Sequence, residues 1–77
     1  MSVIAYVLVK ANTGEAERLQ AAIESIDGVE SVHVVAGDVD LIAKTRVENP
    51  AAVKRISATE VQGIDGVEGT KTYIAME

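Results

Sequence analysis

Asp38 and Asp40 stand two residues apart in the stretch Val35-Ala36-Gly37-Asp38-Val39-Asp40-Leu41. On an extended chain that spacing projects both carboxylates from one face, where together they could receive an ammonium group or a cation. Thr70 and Thr72 repeat the spacing near the C-terminus and offer hydroxyls to a carboxylate. Each pair also has a plain structural reading: Asp38 serves a turn, Asp40 is solvated at the start of a strand, and the threonines are ordinary β-branched strand residues. The aspartates lack the oxygen-rich spacing of a calcium loop, so no metal site is expected. His33 is the only histidine and there is no cysteine. Without a second histidine or a serine in a strand-turn-helix elbow, neither a nucleophilic triad nor an acid-base pair can be assembled, and no catalytic residue is assigned. Tyr6 and Tyr73 read as sheet-packing residues whose hydroxyls can reach an interface.

Composition narrows the functions further. The formal net charge is -5 and the seven basic residues are scattered, whereas autonomous nucleic-acid binding needs a clustered positive face. The chain starts directly in strand-like sequence and no apolar run approaches the roughly 20 residues that span a bilayer, so a cytoplasmic protein is expected. A chain of 77 residues forms one domain and buries only about 60% of its unfolded surface. With no disulfide or structural metal to staple it, oligomerisation is the remaining stabiliser. No cofactor is implied.

The elements that must position these residues follow from periodicity. Ser2 to Lys10 is a strand apolar in both alternating sets, which asks for cover on both faces. Asn12 with Glu15 can form a capping box, with Thr13 as an alternative cap, ahead of a helix carrying Ala16, Leu19, Ile23 and Ile26 at helical spacing. Asp27-Gly28 ends it. Val29 to Ala36 and Val39 to Val47 are two strands joined by a tight hairpin in which Gly37-Asp38 would supply positive φ angles. Asn49-Pro50 opens a second helix with an apolar stripe through Val53, Ile56 and Val61. Gly63 and Gly66 loosen its end before a last strand from Val67 to Met76. The segment Ile26-Asp27-Gly28-Val29-Glu30 returns as Ile64-Asp65-Gly66-Val67-Glu68, both times between a helix and a strand, and this repetition reads Asp27 and Asp65 as turn residues.

Two β-α-β halves give an α+β fold, a ferredoxin-like βαββαβ sandwich: a four-stranded antiparallel sheet of order 4-1-3-2 with two helices on one face. The other face is bare and its central strand apolar, so a homodimer through the sheets is expected. The hairpin and the start of the last strand fall at the same end of the sheet. With three interstrand steps of about 4.8 Å between them, a pocket using both is expected to form between subunits.

One local motif misleads. Val61-Gln62-Gly63-Ile64 is similar to the core of the acylphosphatase phosphate loop, but it ends a helix and no arginine follows, so it is set aside. Over its whole length the chain instead resembles the ligand-sensing (RAM) domain of the Lrp/AsnC transcription regulators. The resemblance rests on Ile4 to Val9, the Gly28-Val29 and Gly66-Val67 turns, the Ala36-Gly37-Asp38-Val39-Asp40-Leu41 hairpin and Thr70-Lys71-Thr72. Family members often carry an aromatic where this chain has Val39. The resemblance implies an amino-acid effector held between subunits by Gly37, Asp38, Val39 and Asp40, with Thr70 and Thr72 as further contacts, and dimers that gather into rings. The family's helix-turn-helix is not found in residues 1–77, so the expected role is a non-enzymatic effector-binding and oligomerising module in transcription regulation, acting through a full-length Lrp/AsnC-type regulator and not by direct contact with nucleic acid or membrane. Two rivals are a small dimeric ferredoxin-like oxygenase or isomerase, for which His33 would be the titratable group, and a purely structural co-assembly adaptor.

Overall fold

In the computed structural model, which describes residues 2–12 and 14–76, the first strand, β1 (Val3–Ala11), lies in the middle of the sheet. Its two apolar sets part company as the pleat requires. Ala5, Val7, Val9 and Ala11 are buried beneath the helices, while Ile4, Tyr6 and Leu8 occupy the opposite, open face with Tyr6 exposed. Helix α1 (Ala16–Glu24) buries Leu19 and Ile23 completely. Strands β2 (Val29–Val34) and β3 (Leu41–Val47) follow, then helix α2 (Pro50–Lys54), a π-helical continuation from Arg55 to Val61, and strand β4 (Val67–Ile74). The sheet order β2-β3-β1-β4 is antiparallel throughout, the expected ferredoxin-like order.

Leu19 and Ile23 meet Val7, Val9, Leu41, Ala43, Ile56 and Val61 in one core. Burying each of the larger side chains stabilises the fold by about 1.5–3 kcal/mol. Thr45 and Ser57 are buried polar residues; Thr45 is fully buried, and its hydroxyl donates to the Ala5 carbonyl across the β1/β3 ladder at 3.1 Å. Among the described residues no buried side-chain polar atom lacks a partner.

The internal repeat is a repeated turn. Val29 N–H donates to Ile26 O at 3.1 Å and Val67 N–H to Ile64 O at 3.2 Å, and the glycines within adopt φ values of 98° and 103°, a region that L side chains avoid. The second helix begins as its sequence requires: Asn49 Oδ1 accepts from Ala52 N–H at 2.9 Å, with Pro50 in the first turn. Its π-helical widening explains the interval of five between Ile56 and Val61, since both are fully buried and i→i+5 winding returns them to one side. Replacing Asn49 by Ala is expected to cost about 1 kcal/mol, read from the urea midpoint, because the Ala52 N–H loses its acceptor.

Four local expectations are corrected. The residue capping α1 is Glu15, without a side-chain cap bond; its carboxylate turns to Arg18 at 2.8 Å. The Asn12 backbone N–H donates to Gly66 O at 2.8 Å, so Asn12 is held at the start of β4, and Thr13 lies outside the described residues. The hairpin is not tight. Neither Gly37 nor Asp38 has a positive φ, and β2 and β3 stop short, leaving Val35 to Asp40 as an open loop closed by Val35 N–H to Asp40 O at 2.9 Å. Finally, β4 ends at Ile74; Ala75 N–H still donates to Ile4 O at 2.8 Å, and Met76 beyond it is 90% exposed. Among the described residues no helix is long and apolar enough to cross a membrane.

Candidate functional site

The loop from Val35 to Asp40 bends over the end of β1 and is latched there. Asp40 N–H donates to Val9 O at 2.9 Å, and Asp40 Oδ2 accepts from Ala11 N–H at 2.9 Å, where the β1/β4 register shifts between Lys10 and Ala11. Lys10 Nζ adds a hydrogen bond to the Asp38 carbonyl at 3.3 Å. The latched loop forms one wall of an open cleft of about 310 Å³ lined by Leu8, Lys10, Asp38, Val39, Gly69, Thr70 and Lys71.

The floor follows from strand register. Leu8 lies opposite Lys71 and Lys10 opposite Gly69, and cross-strand partners project from the same face. Lys10, Leu8 and Lys71 therefore share the open side of the sheet with Tyr6 and Tyr73, also opposite one another. Gly69 contributes no side chain, and a Cβ placed there would meet nothing within 4 Å, which leaves the space between the two lysines clear.

Loop and β4 thus line one cleft within a single subunit, contrary to the expectation that they would meet only across a subunit boundary. That expectation counted strand steps from β2, but the loop leaves the sheet beside β3, with β1 alone separating it from β4, and it folds toward β1. Of the residues singled out from sequence, Asp38 and Val39 line the cleft; Gly37 is exposed and outside it. Asp40 is not among the cleft's lining residues; its carboxylate turns to the β1 backbone at Ala11. Thr70 reaches the cleft from β4, but it pairs with Val9 on the helix-covered side and its hydroxyl donates to Gln62 Oε1 at 3.4 Å. Thr72 pairs with Val7 on that same side and lies outside the cleft. Leu8, Lys10, Gly69 and Lys71 were missed. The signal that could have found them is parity: laid antiparallel to the first strand, the last strand brings Lys71 and Lys10 to the same face.

Charge is distributed unevenly around this site. Among the described residues four ion pairs form: Arg18–Glu15, Lys44–Glu30, Arg46–Glu30 and Arg55–Glu60. The Arg46 hydrogen bond holds the Glu30 carboxyl below the usual carboxylate range, helped by the charges of Arg46 and Lys44; Arg18 does the same for Glu15 through a hydrogen bond and its charge. Lys10 and Lys71, both at the cleft, are in no ion pair among the described residues. His33 is exposed and pairs with Ile42 on the open face, in the same cross-strand row as Leu8, and does not line the cleft. Among the described residues no group of three or more His, Asp or Glu side chains could hold a metal.

An α+β sandwich with an open cleft beside its hairpin invites comparison with known proteins. Residues 4–77 match the family described as the Lrp/AsnC ligand binding domain. The leucine-responsive regulatory protein of Haemophilus influenzae is 32% identical over 75 residues, covering 97% of this chain and 45% of the relative; the chain spans about half the length of the curated relatives it matches. The crystal structure of TTHA0845 from Thermus thermophilus superposes with a TM-score of 0.92 at 27% identity, covering 97% of this chain and 94% of that one. A transcriptional regulator of Neisseria meningitidis, NMB0573, solved as a complex with L-Met, shares the fold with a TM-score of 0.82 at 14% identity, covering 97% of this chain and 50% of its own. The chain belongs to the Lrp/AsnC ligand binding domain family, whose curated relatives here are transcription regulators.

Proposed function

We propose that residues 1–77 act as one receptor unit for an amino-acid effector, that the effector is held in the cleft between β1, β4 and the 35–40 loop, and that its binding is passed to transcription through assembly. The observation that carries this reading is the chemistry of the cleft. Lys10 and Lys71 supply cations for a carboxylate, Asp38 supplies an anion for an ammonium group, and Leu8 and Val39 supply an apolar wall. The names of the relatives support it, since one is leucine-responsive and a regulator of the same fold is held with L-Met. The domain is not an enzyme in this reading: His33, the titratable group an enzyme reading needs, is exposed and does not line the cleft. Calorimetric titration with the twenty amino acids is expected to show binding of at least one at millimolar concentration or below. Binding of none would overturn the receptor role.

Assembly is proposed to use the open face. Tyr6 and Tyr73 are 39% and 57% exposed beside the half-buried Ile4 and Ile42, an apolar surface that a second copy would cover. The unit would then be a cytoplasmic homodimer, with larger rings and a full-length Lrp/AsnC-type regulator as further partners, and without direct contact with DNA. Light scattering behind size exclusion is expected to give a dimer or larger at micromolar concentration; a clean monomer would count against the sheet interface.

A further inference from the structure

We infer that the cleft is an anion clamp whose preferred effector is a dicarboxylic amino acid, with Lys10 and Lys71 each receiving one carboxylate and Asp38 the α-ammonium group. This rests on the receptor reading above and names its ligand class. The chain carries a net charge of -5, yet two cations without an ion-pair partner among the described residues line the same small cleft. Leu8 opposite Lys71 and Lys10 opposite Gly69 make the two lysines diagonal neighbours on one face, about 7–8 Å apart between residues. The space between them is kept clear by Gly69, where even a Cβ would meet no neighbour within 4 Å. Lys10 is further fixed by its hydrogen bond to the Asp38 carbonyl, a contact that orients the ammonium group without neutralising it.

Counting charges then sets the preference. Two lysines against Asp38 leave the lining with one surplus positive charge. A neutral amino acid, with one carboxylate and one ammonium group, leaves that surplus in place. A second carboxylate cancels it, and the short aliphatic spacer of aspartate or glutamate lies against Leu8 and Val39.

Titration of the full chain at low ionic strength tests this with isosteric pairs. L-aspartate or L-glutamate is expected to bind at least about 10-fold more tightly than L-asparagine or L-glutamine, since the second carboxylate gains a charge-assisted hydrogen bond worth about a factor of ten or more. Added salt should shrink that preference. Lys71→Gln should abolish it while leaving the urea midpoint unchanged, Lys71 being exposed. Amides binding as tightly as the acids, or a preference that survives Lys71→Gln, would overturn the clamp and leave the receptor reading standing whenever a neutral amino acid still binds. Binding of no amino acid at all would overturn both.

Discussion

Gly28→Val is expected to destabilise the domain by about 3 kcal/mol or more, a large share of the about 4–11 kcal/mol typical of a domain this size. Two independent costs combine at this position. The backbone sits at φ 98°, where a β-branched residue is a steric outlier costing about 1–3 kcal/mol. A Cβ there would also lie 2.8 Å from Val47 Cγ1 and 2.9 Å from Ile56 Cδ1. Ile56 is completely buried and cannot move aside, so overpacking adds about 1–3 kcal/mol. The equivalent turn at Gly66 gives an internal control. It has a similar φ of 103°, but its nearest neighbour would be Arg18 Nη2 at 3.0 Å, the far end of an exposed side chain that can shift by a few tenths of an ångström at the expense of its hydrogen bond to Asp65 O. Gly66→Ala should therefore cost only about 1–2 kcal/mol, mostly backbone strain. Urea denaturation of both variants measures the difference. A Gly28→Val midpoint no lower than that of Gly66→Ala would show that the close packing around Gly28 does not constrain the fold.

Asp40→Ala is expected to release the 35–40 loop. The Ala11 N–H, in a part-buried position, loses its acceptor at a cost of about 1–3 kcal/mol, and the wall carrying Asp38 and Val39 is no longer fixed against β1. Effector affinity should fall by about 10-fold or more, since a wall that must be ordered on binding takes that ordering out of the affinity. The Ala11 amide should lose its protection from hydrogen exchange in parallel. Asp40→Asn separates the two roles this residue could have. An amide oxygen can still accept from Ala11 N–H, so the loop should stay latched and most of the affinity should return. If Asn proves as damaging as Ala while the Ala11 amide remains protected, the carboxylate itself contacts the ligand, and the two-aspartate site expected from sequence is restored.

The contrast between these two aspartates and the two lysines shows how the site was divided between sequence and fold. The Asp38/Asp40 pair was conspicuous because its spacing is local, and local spacing can be read along the chain. Lys10 and Lys71 were inconspicuous because they are far apart in the chain, and only the pairing of β1 with β4 makes them neighbours. The same pairing governs Thr70 and Thr72: the register with Val9 and Val7 sets them on the other side of the sheet from the lysines, and of the two only Thr70 lines the cleft.

Sequence alone determined the element order, the helical faces through Leu19, Ile23, Val53, Ile56 and Val61, the Asn49 cap and the repeated glycine turns, because each depends on the periodicity or backbone freedom of a few neighbouring residues. It also determined the ferredoxin-like topology, since two right-handed β-α-β crossovers leave few alternatives. What only the tertiary structure decided was the course of the 35–40 loop and the fate of its side chains. A six-residue loop has no period to read, and it takes its shape from partners on another strand: Val9 O, the Ala11 N–H and the Lys10 ammonium group. Those contacts turn Asp40 into a latch, leave Asp38 at the mouth of the cleft, and bring the loop and β4, which strand-counting had kept apart, to the walls of one cleft.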